Sequence, residues 1–292
     1  MAEVTDAIIL AGGLGTRMLP ASLYAPKETL PLVDTPILNH LILEAAISGV
    51  RNIHLVLSER KREILEGFLE NEYVHGSEIR PDIPRDALRL HLDGVSLFPH
   101  IQSNPGGVGD AISVAISKIN GPFLVLLGDM IITDKHFSPE HFGMETGSNA
   151  SKELVSRFEE TGIPNVGVYP VEGNEISKYG VVRLDGEMVV DIEEKPPFGK
   201  APSKYVLCGR YIFPDNTKEI LDKYPSSEYG EMQSIKILKH LIDFEGLNVV
   251  KLDNFQMYDS GDPLTWLQSQ VDHELRRSEN GIFEQWLRTR LG

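Results

Sequence analysis

The chain has 292 residues, and 28 Lys and Arg against 43 Asp and Glu give it a formal charge of -15. That length makes one large α/β domain or two small ones and buries a core unaided, while the acidic balance argues against a nucleic-acid groove or an anionic membrane surface. The single cysteine, Cys208, excludes an internal disulfide and a thiolate metal cluster.

Cys208 lies in the apolar run Tyr205-Val206-Leu207-Cys208 and reads as a buried, inert thiol. No basic-then-apolar leader opens the chain and no apolar run approaches bilayer length, so the expected compartment is the cytoplasm. The first element is a short buried strand, Ala7 to Leu10. It breaks into Gly12, Gly13 and Gly15 and then meets Arg17 and Lys27, with Pro20 and Pro26 between them. Glycines let the backbone turn and approach a ligand closely, and successive free N–H groups in such a turn form an anion site. Arg17 adds a forked donor and Lys27 a point charge, a combination suited to a nucleoside triphosphate. A P-loop would need Gly-x-x-x-x-Gly-Lys-Ser/Thr, which is absent. The dinucleotide fingerprint breaks at Met18, where a third glycine would stand, which sets aside a dehydrogenase.

Thr35 is expected to cap a helix with Pro36 at its first position, Ile37, Leu38, Leu41, Ile42, Ala45 and Ala46 forming its apolar face and Gly49 ending it. Ile53 to Leu57 reads as a buried strand, and Ser58 as the start of a charged helix to about Glu70. Residues 72–95 lack clean periodicity, and His75 and His91 there have no partner at metal-ligand spacing. Val95 to Gln102 is expected to be a strand, Ala111 to Lys118 a helix and Phe123 to Leu127 a strand ending on Gly128-Asp129. Ligands of open α/β sheets bind beyond the carboxyl ends of the strands, so Asp129 stands where it could hold a metal.

After about residue 160 the pattern changes. Val166 to Val171 reads as a strand, Val181 to Val190 as a hairpin turning at Asp185-Gly186, and Tyr205 to Phe213 as another strand. Gly230-Glu231-Met232-Gln233 leads a helix to Leu241, a strand lies near Asn248 to Leu252, and helices follow from about Pro263 to Arg277 and Ile282 to Arg290. Trp266 and Trp286 read as packing residues. The later strands extend a parallel core, so residues 1–292 form one domain, with a nucleotide-binding half over 1–160 and a second half over 161–292.

Gly12 to Pro20, Pro26-Lys27-Glu28 and Leu30 to Asp34 resemble the sugar-1-phosphate nucleotidylyltransferases, most of all the bacterial UTP–glucose-1-phosphate uridylyltransferases. Later segments follow that pattern in order: Gln102 with Gly107 and Gly109, Tyr179-Gly180-Val181, Glu194-Lys195-Pro196, Asp259-Ser260-Gly261 and the closing Phe283 to Leu287. The resemblance implies a Rossmann-like, mostly parallel sheet flanked by helices with added antiparallel strands, the GT-A-like nucleotidyltransferase fold. It implies a nucleotide held by Ala11, Gly12, Gly13, Gly15, Thr16, Gln102 and Gly107, and a sugar phosphate held by Gly180, Glu194 and Lys195. Arg17, Lys27, Asp129 and Lys195 are its implied catalytic residues, and Asp129 with Asp259 its Mg2+ ligands. UTP and glucose 1-phosphate are the implied partners, in a homodimer or homotetramer. The same residues leave open another base, such as that of dTTP, another sugar, or a nucleotide-sugar-binding paralogue without turnover. Departures from the pattern include Gly106 where Lys is common, Asp110 where His is usual and Gly128 where Pro is usual.

Overall fold

Side chains alternate between the faces of a strand, and in β1 (Asp6–Leu10) every residue is buried. Ala7 and Ile9 enter one apolar cluster, and Ile8 and Leu10 enter a second. Both faces of the sheet are therefore covered. The structure is a computed structural model and describes residues 2–63, 94–103, 106–135, 147–229, 233–277 and 281–291.

After the glycine loop, β2 (Pro31–Leu32) and β3 (Thr35–Pro36) pair antiparallel and lead into α1 (Ile37–Ile47). The expected cap at Thr35 is not made: its hydroxyl bonds to Asp34, and Pro36 stays extended at ψ 141 as the helix begins one residue later. The register that sets Pro36 opposite Pro31, closed by the amide of Ile37 donating to the Leu30 carbonyl, keeps Pro36 extended and overrides its preference for a first helical turn. Beyond α1, β4 (Asn52–Ser58) runs into a short 3-10 turn, Glu59–Lys61, and Arg62 and Glu63 begin the expected charged helix, whose remainder to Glu70, with His75 and His91, lies outside the described residues.

The remaining strands are β5 (Ser96–Gln102), β6 (Phe123–Leu127), β7 (Met130–Asp134), β8 (Asn165–Pro170), β9 (Gly180–Asp185), β10 (Met188–Glu194), β11 (Tyr205–Phe213), β12 (Asn248–Lys251) and β13 (Phe255–Asp259). One nine-stranded sheet runs through both halves in the order β5-β4-β1-β6-β11-β8-β12-β10-β9. Its first four strands are parallel. Past β6 the pairing is mixed, with β11 antiparallel to both β6 and β8. The β9–β10 hairpin pairs Asp185 with Met188, so its two loop residues are Gly186 and Glu187 rather than Asp185 and Gly186. Of these two only Gly186 has positive φ, at 59°, the demand of a turn with glycine first.

Helix α1 buries Ile37, Leu38, Leu41, Ile42 and Ala45 against the first cluster, joined by Leu154, Val155 and Phe158 of α2, here Ala150–Thr161. On the other face lie Ala111, Ile112 and Ala115 of the helix Val108–Ile116, with Ile237, Leu238 and Leu241 of Gln233–Phe244. Pro263–Arg277 and Ile282–Leu291 close the chain as expected. Trp266 packs on the first cluster, whereas Trp286 is about half exposed and stacks on Phe283. Among the described residues no helix is long and apolar enough to cross a membrane. Cys208 is fully buried, which pushes its thiol up to about 12.

One buried ion pair ties these layers to the site. Arg210 on β11, with no exposed surface, donates two 2.7 Å bonds to Glu44 on α1. Its Nη2 also donates to the carbonyl of Met130, fixing the chain directly after Asp129.

Candidate active site

The parallel strands end together, and the side chains of interest stand at that edge. Leu10 on β1 is in register with Leu127 on β6. The amide of Gly128 then donates to the Leu10 carbonyl at 2.9 Å. A Cβ at Gly128 would sit 2.6 Å from that oxygen, so only glycine lets the two strand ends close up. This delivers Asp129 beside the glycine loop.

Asp259 arrives from the opposite end of the chain. β13 pairs antiparallel with β7, with Asp259 opposite Met130, and Ser260 donates through both its amide and its hydroxyl to the Asp129 carbonyl. Neither the β7 strand nor this two-stranded sheet is evident from periodicity, because Met130 to Asp134 is too short a run to separate from a turn.

Both carboxylates meet the two cations of the loop. Lys27 Nζ donates to Asp129 Oδ2 at 2.6 Å, and Arg17 forks onto Asp259 at 2.6 and 3.2 Å while lying 4.0 Å from Asp129. Gly261 makes room for this fork, since a Cβ there would stand 2.7 Å from Arg17 Nη2. Burial works to raise the Asp129 pKa, but Lys27 and Arg17 outweigh it and hold the carboxyl below its usual value. Arg17 is held in its charged form chiefly by its hydrogen bond to Asp259. The result is a compact cluster of two positive and two negative groups.

The glycine loop itself is oriented from behind by Lys61, which sequence reasoning missed. Its Nζ is buried and donates to the carbonyls of Ala11 (2.6 Å) and Gly13 (2.8 Å) and to Glu28 Oε2 (2.7 Å). With its carbonyls turned inward, the loop leaves the amides of Gly12, Gly13, Gly15 and Thr16 without a backbone acceptor among the described residues. Gly15 has φ 66°, the left-handed conformation that lets the turn form. In the sequence Lys61 is one charge in the run Glu59-Arg60-Lys61-Arg62, and nothing there marks it as the buried one.

Gln102 ends β5 and is nearly buried. Its Nε2 donates to Asp110 Oδ2 at 2.6 Å, and its Oε1 lies against Gly12, where a Cβ would be 2.7 Å away. That bond uses one of the two Nε2 hydrogens and fixes which way the amide faces, so Gln102 keeps Oε1 as an acceptor and one N–H as a donor. Gly107, with φ 91°, caps the helix Val108–Ile116 next to it.

A third group forms on β9 and β10. Gly180 pairs with Glu194, and a Cβ at Gly180 would lie 2.9 Å from Glu194 Oε2. Lys195, largely exposed and at φ 49°, stands 3.6 Å from Glu194 and donates its amide to the Tyr179 carbonyl. This group adjoins the acidic pair: burial, and then Asp259 and Glu175, push the Tyr179 hydroxyl up to about 12.

The two aspartates are an all-oxygen donor set of the kind Mg2+ favours. Among the described residues no cluster of three or more His, Cys, Asp or Glu could cage an ion. The donor set thus fits an ion that completes its shell with phosphate and water oxygens, and does not fit a self-contained structural metal.

The glycine loop, paired cations and two converging aspartates at the strand ends are an arrangement suited to an enzyme acting on phosphorylated nucleotides. The nucleotidyl transferase family model matches residues 6–267, and the chain belongs to that family. The UTP–glucose-1-phosphate uridylyltransferase of Streptococcus pneumoniae is 32% identical over 291 residues, covering 95% of this chain and 92% of that protein. The enzyme of the same name from Escherichia coli K12 is 30% identical, with 99% and 97% covered. Among solved structures, UDP-glucose pyrophosphorylase from Acinetobacter baumannii superposes with a TM-score of 0.83 at 27% identity, covering 99% of this chain and all of that one. A UTP-bound form from the same species matches equally well.

Proposed function

We propose that the protein transfers a uridylyl group from UTP to glucose 1-phosphate, giving UDP-glucose and pyrophosphate, with Mg2+ as cofactor. The observation that carries this reading is the meeting of Asp129 and Asp259 around Arg17 and Lys27 at the mouth of the glycine loop. Names and coverage of the relatives support the choice of UTP and glucose 1-phosphate.

The chemistry needs little from the protein beyond placement and charge. A phosphate oxygen of the sugar phosphate, its second pKa ~6, is ionised at neutral pH and attacks the α-phosphorus of UTP. The bond to the β,γ-pyrophosphate breaks in line with the attack, so no general base is required. The amides of Gly12, Gly13, Gly15 and Thr16 hold triphosphate oxygens, Arg17 takes the departing pyrophosphate, and Lys27 neutralises charge near the reacting phosphorus. Asp129 and Asp259 are the residues that would hold Mg2+. When bound, the ion supplies further neutralisation of the triphosphate. Glu194 and the backbone at Gly180 accept hydrogen bonds from sugar hydroxyls, and Lys195 steadies the sugar phosphate. Before substrate arrives the cations and carboxylates satisfy one another, so an arriving polyanion meets groups that are already paired rather than an unbalanced field.

Pyrophosphate release across a panel of nucleoside triphosphates and sugar 1-phosphates tests the reading. Turnover is expected with UTP and glucose 1-phosphate in the presence of Mg2+. Activity confined to dTTP or to another sugar replaces the substrate assignment, and silence across the panel points to a binding protein.

A further inference from the structure

We propose that Asp110 sets the base preference of the nucleotide site by fixing the side-chain amide of Gln102. A carboxylate only accepts hydrogen bonds, so the 2.6 Å contact to Asp110 Oδ2 turns the nitrogen end of the Gln102 amide toward Asp110 and uses one of its two hydrogens. The oxygen Oε1 is turned away from Asp110 and lies against Gly12 at the start of the glycine loop. A terminal amide torsion is broad and roughly two-fold. Without a carboxylate beside it, the amide could present either atom at similar cost. With Asp110 in place the amide has one orientation, its acceptor Oε1 turned toward Gly12 and its second N–H beside it.

An acceptor pairs with the N3–H of uracil or thymine and opposes the N3 lone pair of cytosine. The preference therefore works by leaving the wrong base with two lone pairs face to face. It does not separate uracil from thymine, whose added methyl lies elsewhere on the ring. The second N–H of Nε2 can donate to the carbonyl at position 4, where cytosine carries an amino group instead.

Gly106 belongs to the same device. A Cβ at Gly106 would stand 2.8 Å from both Cβ and Cγ of Asp110, so any side chain there would push the carboxylate away from Gln102. Glycine at 106 thus leaves room for the carboxylate at 110 that orients the amide.

The proposal rests on the uridylyl reading above, and the test keeps the two apart. Initial rates of pyrophosphate release with UTP and with CTP, and calorimetric binding of UDP and CDP, are compared for the wild-type chain, Asp110→Ala and Asp110→Asn. Wild type is expected to prefer UTP. In Asp110→Ala the UTP:CTP ratio of kcat/KM falls roughly tenfold, the worth of one hydrogen bond. The change is carried in KM and in the UDP:CDP affinity ratio. Asp110→Asn, close to isosteric and able to donate as well as accept, gives an intermediate ratio and decides the matter if the alanine variant does not fold. Wild-type ratios in a folded Asp110→Asn and Asp110→Ala overturn the proposal. Failure of wild type to use UTP overturns the uridylyl reading itself.

Discussion

Lys61→Met keeps the apolar stem of the side chain and removes its ammonium. Three acceptors lose their donor at once: the carbonyls of Ala11 and Gly13, and Glu28 Oε2. Burial pushes the Glu28 carboxyl above its usual pKa, with Lys61 the first group opposing that rise. Glu28 is 2% exposed, so its charge has little water to fall back on. Removing one partner of a buried pair costs ~3–5 kcal/mol. At 2–4 °C per kcal/mol for a chain of this size, the melting temperature falls by roughly 10 °C. Protonation of Glu28 relieves part of that cost at low pH. Adding Glu28→Gln replaces the stranded charge by a neutral amide and recovers most of the thermal loss. It does not restore the donor to the loop carbonyls, so a KM for UTP raised about tenfold persists in the double variant. Thermal melts and steady-state kinetics on wild type, both single variants and the pair separate the two effects. A Lys61→Met protein melting within about 2 °C of wild type with an unchanged KM would refute the reasoning.

Gly128→Ala drives a Cβ to within 2.6 Å of the Leu10 carbonyl and 3.0 Å of Ala11 Cα. Both are backbone atoms, so the strand ends must part, at a cost of ~1–3 kcal/mol. Asp129 moves with them, and kcat is expected to fall about a hundredfold; wild-type kcat in a soluble Gly128→Ala protein would contradict the close approach. Acid stability offers an independent check. Burial, reinforced by His273, depresses His40 to about 3, and burial depresses His273 to about 4, with Asp34 and Asp272 opposing too weakly to reverse it. Both histidines are neutral when folded and bind a proton on unfolding. Their stabilising contribution is therefore complete above the unfolded value of 6.5 and is lost as pH falls toward 4 and 3. The slope approaches ~1.4 kcal/mol per pH unit for each. Urea titrations from pH 7 to 4 should show it, and His40→Gln should reduce it by about half; an unchanged slope would mean that His40 is already charged in the folded state.

The elements legible in the sequence are those whose local pattern and tertiary role agree. β6 is an unbroken apolar run, and β1 after Asp6 and β4 apart from His54 are nearly so, because both faces of the sheet are covered. Pro263–Arg277 and Ile282–Leu291 carry clear helical spacing. Asp129 and the glycine loop were readable because strand ends in such sheets point at ligands. What could not be read depends on contacts far apart in the chain. The pairing of β7 with β13 brings Asp259 to Asp129 across two segments that have no local signature of each other. Lys61 looks like any charge after a strand until Glu28 and two loop carbonyls close around it. Asp110 is visible as a departure from the family pattern, but its effect on Gln102 exists only once β5 and the following helix stand side by side. Pro36 shows the reverse case, a strong local preference overruled by a two-residue ladder.

The central claim is that Asp129 and Asp259 share one divalent ion with the triphosphate, and electron paramagnetic resonance with Mn2+ in place of Mg2+ reads it directly. In the presence of UTP, wild type is expected to bind one Mn2+ tightly. Asp129→Asn and Asp259→Asn should each weaken it at least about tenfold, with turnover down about a hundredfold for the former. Mn2+ affinity and turnover equal to wild type in either variant would contradict the account.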